Sequence, residues 1–225
     1  MNDLSERSIV PTSARWPVVL FDLDGTLADS IGLIIESYQY AFSAVNGREV
    51  SADEARTWIG QTLLETFRRE DPPGAVELER VYRDYNEANS ARITGYPGVP
   101  ELLTQLNAAG VRPKVVTSKR FRMSVETVRL AGLSELVDLA VTMEDTERHK
   151  PYPDPLLRAF DKLGVTPEQC VYVGDAVWDV LAAHAAGIPA IAVTWGAGSR
   201  ADLAAAAPEF SCDCAAELRQ VLFST

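Results

Sequence analysis

The chain has 225 residues, enough for one large domain or for a core domain carrying an insertion. Its net charge of −11 excludes nucleic acid and anionic membrane as expected partners, since both require clustered Lys and Arg. No apolar run approaches the roughly 20 residues that cross a bilayer, and three cysteines without framework spacing point to a reducing, cytoplasmic setting.

Residues 1–17 lack the basic-then-apolar profile of a secretory signal and read as a flexible tail. Residues 18–21, Val-Val-Leu-Phe, then read as a strand of a parallel sheet buried on both faces. Asp22 and Asp24 come where that strand ends, and ligands in open α/β sheets gather there. Two carboxylates so close repel unless something cationic sits beside them. Gly25 lets the chain turn, and Thr26 can cap the next element. A calcium loop is disfavoured, because its glycine stands sixth and this one stands fourth. A hairpin is disfavoured because Thr26-Leu27-Ala28-Asp29-Ser30 runs on into a helical pattern.

Residues 30–95 contain no convincing strand. Helical patterns cover 31–45, 52–59, 63–69 and 76–93, with Ser51 and Glu54 at capping-box spacing. Breaks fall at Asn46-Gly47, Gly60 and Asp71-Pro72-Pro73-Gly74, and Gly95-Tyr96-Pro97-Gly98 marks the return to another rhythm. The segment reads as a helical domain inserted after the first strand, able to close over the strand ends and exclude water.

From Arg112 onward short apolar runs alternate with helical patterns. Val115-Val116 lead to Thr117, 139–141 lead toward Glu144, 171–173 lead to Gly174-Asp175, and 190–193 lead to Thr194. The helices between are expected at 121–131, 153–163, 177–186 and 199–206. This alternation predicts an α/β fold with a doubly wound parallel sheet, its core formed by 18–29 and 96–225. Cys170 reads as a small core residue, and Cys212-x-Cys214 has no second pair with which to build a zinc site.

Polar residues of complementary type stand at these strand ends. Asp22 and Asp24 come after the first strand, and Thr117, Ser118 and Lys119 after the second. Lys150 lies in a proline-rich loop, and Asp175 and Asp179 are spaced by four, on one face if that turn is helical. The carboxylates offer the oxygen ligands that Mg2+ demands, and Thr117 and Lys150 suit phosphoryl oxygens. An aspartate can serve as the covalent nucleophile. Phosphoryl transfer needs mostly positioning and charge neutralisation, which this set supplies.

Asp22-Leu23-Asp24-Gly25-Thr26, then Thr117, then Lys150 with its prolines, then Gly174-Asp175 through Asp179 resemble, in order, four motifs of the haloacid dehalogenase superfamily. The resemblance runs from about Val18 to the C-terminus. It is greatest to the phosphoglycolate-phosphatase-like branch, whose helical cap lies between the first and second motifs. It implies Asp22 as nucleophile, and Asp24 as general acid and then general base. Thr117, Ser118 and Lys150 would hold the phosphoryl group. Mg2+ would lie on Asp22, the Asp24 backbone carbonyl and Asp175, with Asp179 close by. Asp24, absent from dehalogenases of the family, favours hydrolysis of a phosphate ester or anhydride. Ala176 departs from the hydroxyl residue common there, and Thr117-Ser118-Lys119 varies a Thr-Asn-Lys form.

Other residues have two readings. His149 flanks the lysine, and His184 reads as structural. Gly60-Gln61-Thr62 resembles a substrate-facing cap loop. Arg68, Arg69 and Lys119 are either contacts for a second anionic group or a solvated cationic face, and Trp195-Gly196 either line the site or pack beside it. The expected protein is a cytoplasmic, Mg2+-dependent phosphatase, monomer or homodimer, acting on a small phosphoglycolate-like monoester through an aspartyl phosphate. The alternatives are an inorganic pyrophosphatase, a phosphosugar mutase and a non-catalytic phosphate-responsive regulator. Thr26 argues against the mutase, and the paired Asp22 and Asp24 against the regulator.

Overall fold

A computed structural model describes residues 13–223. The apolar runs at the predicted positions form β1 (Val18–Phe21), β4 (Lys114–Val116), β5 (Asp138–Val141), β6 (Cys170–Gly174) and β7 (Ala190–Val193), joined by β8 (Phe210–Cys212). All pair in parallel, in the order β5-β4-β1-β6-β7-β8. The chain builds outward from β1 on one side and then returns to build on the other. The switch point therefore lies at β1, and a crevice opens beyond the carboxyl ends of β4, β1 and β6.

Strand alternation divides the core into two layers. Val19, Phe21, Val115, Val171, Val173 and Ile191 face α5 (Val99–Ala108), α6 (Phe121–Leu130) and α10 (Ala215–Phe223). Leu20, Val116, Tyr172 and Ala192 face α7 (Asp154–Leu163), α8 (Val177–Ala185) and α9 (Arg200–Ala205). Cover on both faces explains why these strands read as continuous apolar runs.

Four helices follow between residues 31 and 89: α1 (Ile31–Asn46), α2 (Ala52–Arg56), α3 (Leu63–Glu70) and α4 (Ala75–Asn89). They enclose an apolar cluster of their own, centred on Tyr38, whose ring meets Trp58, Phe67 and Tyr82 at centroid distances of 5.2, 5.5 and 4.8 Å. Ser51 caps α2 by accepting the Glu54 N–H at 3.1 Å. The helix expected over 52–59 stops at Arg56, and that over 76–93 stops at Asn89 before a tight turn, Ser90–Arg92.

Several elements were not anticipated. The two connections to the helical segment pair as an antiparallel ribbon, β2 (Ala28–Asp29) with β3 (Thr94–Gly95), so the chain enters and leaves side by side. Thr26 accordingly caps no helix; Ser30 stands at the start of α1. Helix α5 carries Val99, Leu102, Leu103 and Leu106 at helical spacing, a legible amphipathic signal. Strand β8 is only three residues long, too short to show a period. Of the expected tail, residues 1–12 lie outside the described residues. Trp16 is buried edge-on against Phe210 (6.3 Å), and the Arg15 N–H donates to Leu222 O at 2.8 Å, so this end is held to the core. No helix among the described residues is long and apolar enough to cross a membrane.

Candidate active site

Asp22 leaves β1 with its N–H donating to Val173 O of β6 at 2.9 Å, which fixes its carboxyl group at the switch point. It is 4% exposed. Lys150, 3% exposed, reaches in from the loop before α7 and places Nζ 2.6 Å from Asp179 Oδ1 and 2.9 Å from Asp22 Oδ1. The contact with Asp22 is a buried ion pair, and no group other than Lys150 gives Asp22 Oδ1 a hydrogen bond among the described residues. Asp179 closes the first turn of α8 through Oδ2, which accepts the Ala176 N–H at 2.9 Å.

Asp175, in the turn before α8, receives the Thr26 hydroxyl on Oδ1 at 2.8 Å and the Ala197 N–H on Oδ2 at 2.7 Å. Two glycines make room for it. A Cβ on Gly25, whose φ is +85°, or on Gly196 would fall 2.2 Å from Asp175 Oδ2. Gly196→Ala is therefore expected to displace this carboxylate, lowering activity more than tenfold and stability by about 1–3 kcal/mol. Phosphate-release assays and thermal melts on the variant check both effects.

Asp22, Asp175 and Asp179 bring one carboxylate oxygen each within 4.8 Å of one another. Burial pushes the Asp22 carboxyl up to about 7; the Lys150 charge opposes this rise and Asp179 adds to it. Asp175 is held well above the usual carboxylate range by burial first, then by Asp179 and Asp22. Desolvation disfavours the Lys150 ammonium, yet Asp179 and Asp22 outweigh it and raise its pKa well above the ordinary lysine value. The cluster thus holds more negative charge than one lysine balances. An all-oxygen donor set of three buried carboxylates fits a hard divalent cation.

Asp24 is turned away from the triad. Its carboxylate accepts Lys119 Nζ at 2.8 and 3.1 Å and the Ser30 hydroxyl at 2.6 Å, so only its backbone carbonyl is left for the predicted metal site. Thr117 follows β4, and its Oγ1 accepts the Lys119 N–H at 3.2 Å, which leaves the hydroxyl proton to donate elsewhere. The Ser118 hydroxyl donates to Gly60 O at 3.0 Å, joining this loop to the helical segment. Asp22, Asp24, Thr117, Ser118, Lys119 and Lys150 all line one cavity of about 100 Å³, roofed by side chains of α1, α3 and α4. Gly60 and Gln61 reach it as well. Arg68 and Arg69 do not: Arg68 is exposed, and Arg69 pairs with Glu70 and Gln61. Trp195 Nε1 donates to Thr26 O at 3.1 Å, beside the site, and His184 lies 3.3 Å from Glu209 Oε2, away from it.

Sequence reasoning missed Tyr172. Its hydroxyl donates to Val116 O at 2.9 Å and accepts from Lys150 Nζ at 3.2 Å, tying the lysine to the strand that presents Thr117. A tyrosine within a fully buried strand needs such a partner, and that was the available signal. Arg83 of α4, which also lines the cavity, carried none.

A parallel α/β core with three convergent aspartates, a buried lysine and a helical roof defines a class of phosphoryl-handling hydrolases. The family described as haloacid dehalogenase-like hydrolase matches residues 19–193, and the chain belongs to that family. It is a phosphatase-type enzyme within it. The chain is 39% identical over 178 residues to a protein of Caldanaerobacter subterraneus subsp. tengcongensis, covering 79% of this chain and 81% of that one. It is 34% identical over 206 residues to pyrophosphatase PpaX of Bacillus cereus (strain AH820), covering 91% and 95%. Among solved structures it resembles a predicted phosphoglycolate phosphatase from Haemophilus somnus 129PT, with TM-score 0.80, 26% identity, and coverage of 92% and 97%.

Proposed function

We propose that the chain is a Mg2+-dependent phosphohydrolase that works through Asp22 on a small phosphorylated anion, inorganic pyrophosphate in first place. The observation that carries this reading is the meeting of three buried carboxylates, Asp22, Asp175 and Asp179, with one oxygen each within 4.8 Å of one another, beside the single ammonium of Lys150. Asp22, Asp175, Asp179 and the Asp24 carbonyl would hold the metal. Bound there, Mg2+ offsets the charge of the aspartates and draws electron density from the phosphoryl oxygens.

The remaining steps belong to the chain. Thr117 and Lys150 hold the phosphoryl group in line with Asp22. The Asp22 oxygen forms a bond to phosphorus as the bond to the leaving oxygen breaks, and Asp24 gives that oxygen a proton. Asp24 then takes a proton from water, which attacks phosphorus and frees Asp22 and orthophosphate. Residues 30–95 act as a cap that excludes other water. Contacts across the seam, Ser118 to Gly60 at 3.0 Å and Arg122 to Glu87 at 2.8 Å, support that role.

The PpaX relative's name supports pyrophosphate, and so does the cavity, well below the several hundred Å³ of a drug-sized pocket. The name given to the Haemophilus structure supports phosphoglycolate as the second reading. Phosphate release is to be measured over pyrophosphate, phosphoglycolate and sugar phosphates, with Mg2+ and with chelator. Release is expected to be greatest from pyrophosphate and to stop with chelator. No Mg2+-dependent release from any compound would overturn the reading.

A further inference from the structure

The cations around the cavity are not equivalent. Lys150 is held by Asp22 and Asp179, and Lys119 by both oxygens of Asp24. Arg120 reaches Glu79 of the cap at 3.3 Å. Arg83, one turn after Glu79 on α4, also pairs with Glu79, through Nη2. Its Nε–H, however, is buried with no hydrogen-bond partner among the described residues, although the side chain lines the cavity. A guanidinium N–H hidden from solvent is costly unless an acceptor meets it. A native structure that keeps such a donor at a cavity wall has a ligand oxygen as the natural partner.

We propose that Arg83 recognises the second anionic group of the substrate, on the leaving side of the scissile bond. This rests on the reading of Asp22 as the attacking group. Two observations place Arg83 on that side. It comes from the roof, whereas Asp22, Thr117 and Lys150 lie on the floor at the strand ends. Its neighbour Tyr82 also lines the cavity, together with Asp24. Burial chiefly, with Tyr38 and Asp24 adding, pushes the Tyr82 phenol well up, and Arg83 opposes the rise. Asp24 is the residue that would protonate the leaving oxygen, and it lines the same cavity as Arg83. Glu79 holds the guanidinium through Nη2, which limits the rotamer entropy lost on binding. A planar guanidinium edge matches two oxygens of one phosphate or carboxylate. The ligand chemistry is therefore a phosphoryl group carrying a second anionic oxygen pair close by, as in pyrophosphate or a phosphorylated short hydroxy acid. A neutral leaving group would leave Arg83 without an acceptor.

The test compares wild type, Arg83→Gln and Arg83→Lys on pyrophosphate, phosphoglycolate and acetyl phosphate, which is of similar size but ends in an uncharged methyl. Arg83→Gln is expected to lower kcat/KM for the doubly anionic substrate about 10- to 150-fold, the range for a hydrogen bond to a charged group, mostly through KM. Acetyl phosphate is expected to lose less than about threefold, and Arg83→Lys to recover part of the loss. Equal losses on both kinds of substrate, or no loss on either, would overturn the assignment. Whichever of the two anionic substrates loses more identifies whether phosphate or carboxylate is read. Calorimetric binding of pyrophosphate and phosphoglycolate to Asp22→Asn, with and without Arg83→Gln, tests recognition apart from turnover. Weaker binding of either anion in the double variant supports the role of Arg83 even where hydrolysis fails, and equal binding of both overturns it.

Discussion

Asp22→Asn is expected to abolish phosphate release, by roughly 10⁴-fold or more, while leaving the protein folded and more stable at alkaline pH. The activity loss arises because an amide cannot supply the attacking oxygen. The stability gain arises from linkage. Burial and the neighbouring carboxylates raise the Asp22 carboxyl from 3.8 to about 7, so the folded state holds this proton more tightly than the unfolded chain does. Its contribution is fully present below about pH 4 and is lost as pH rises through 7, on the order of 4 kcal/mol for the metal-free protein. Asparagine carries no such charge, and Lys150 keeps Asp179 as its partner. Thermal melts of metal-free wild type and variant between pH 5 and 8.5 should show the gap opening in the variant's favour as pH rises. Added Mg2+ should close it by stabilising wild type. Phosphate release persisting in the variant would sink the assignment of Asp22, and a gap independent of pH would sink the electrostatic account.

Lys150→Met is expected to remove activity and stability together. Lys150 is the one cation in contact with Asp22 and Asp179 among the described residues, and breaking a buried ion pair from one side costs about 3–5 kcal/mol. Its raised pKa keeps that contribution present across the physiological range. The loss should shrink toward pH 5, as Asp22 takes up a proton, and shrink again with saturating Mg2+. Turnover should fall roughly 10²- to 10³-fold, as for loss of a charge-stabilising donor aimed at the reacting group. Equal melting of wild type and variant at pH 8 without metal would contradict this balance of charges.

The chain's own pattern was enough for the class of fold and the hydrolase family. Apolar runs at β1, β4, β5, β6 and β7 report burial on both faces, and the residues after them are polar because strand ends meet solvent and ligand. Asp22, Thr117 and Asp175 were legible for that reason, and Lys150 through its place in the motif order. The helical insertion was legible through periodicity, although its ends were set by capping and turn geometry that periodicity does not encode.

Tertiary structure decided what depends on distant partners. The Thr26 hydroxyl bonds Asp175, 149 residues away, and Lys119 holds the Asp24 carboxylate apart from the three-aspartate cluster from 95 residues away. Gly196 is explained only by the carboxylate it lets in, Tyr172 only by the lysine and carbonyl it joins, and Arg83 only by the cavity that hides its Nε. Local sequence determines backbone preference and the side of an element that is buried, because these act through the nearest few residues. Which charge faces which, and which donor is left for a ligand, is set by packing between segments far apart in the chain, and only the folded structure holds that information.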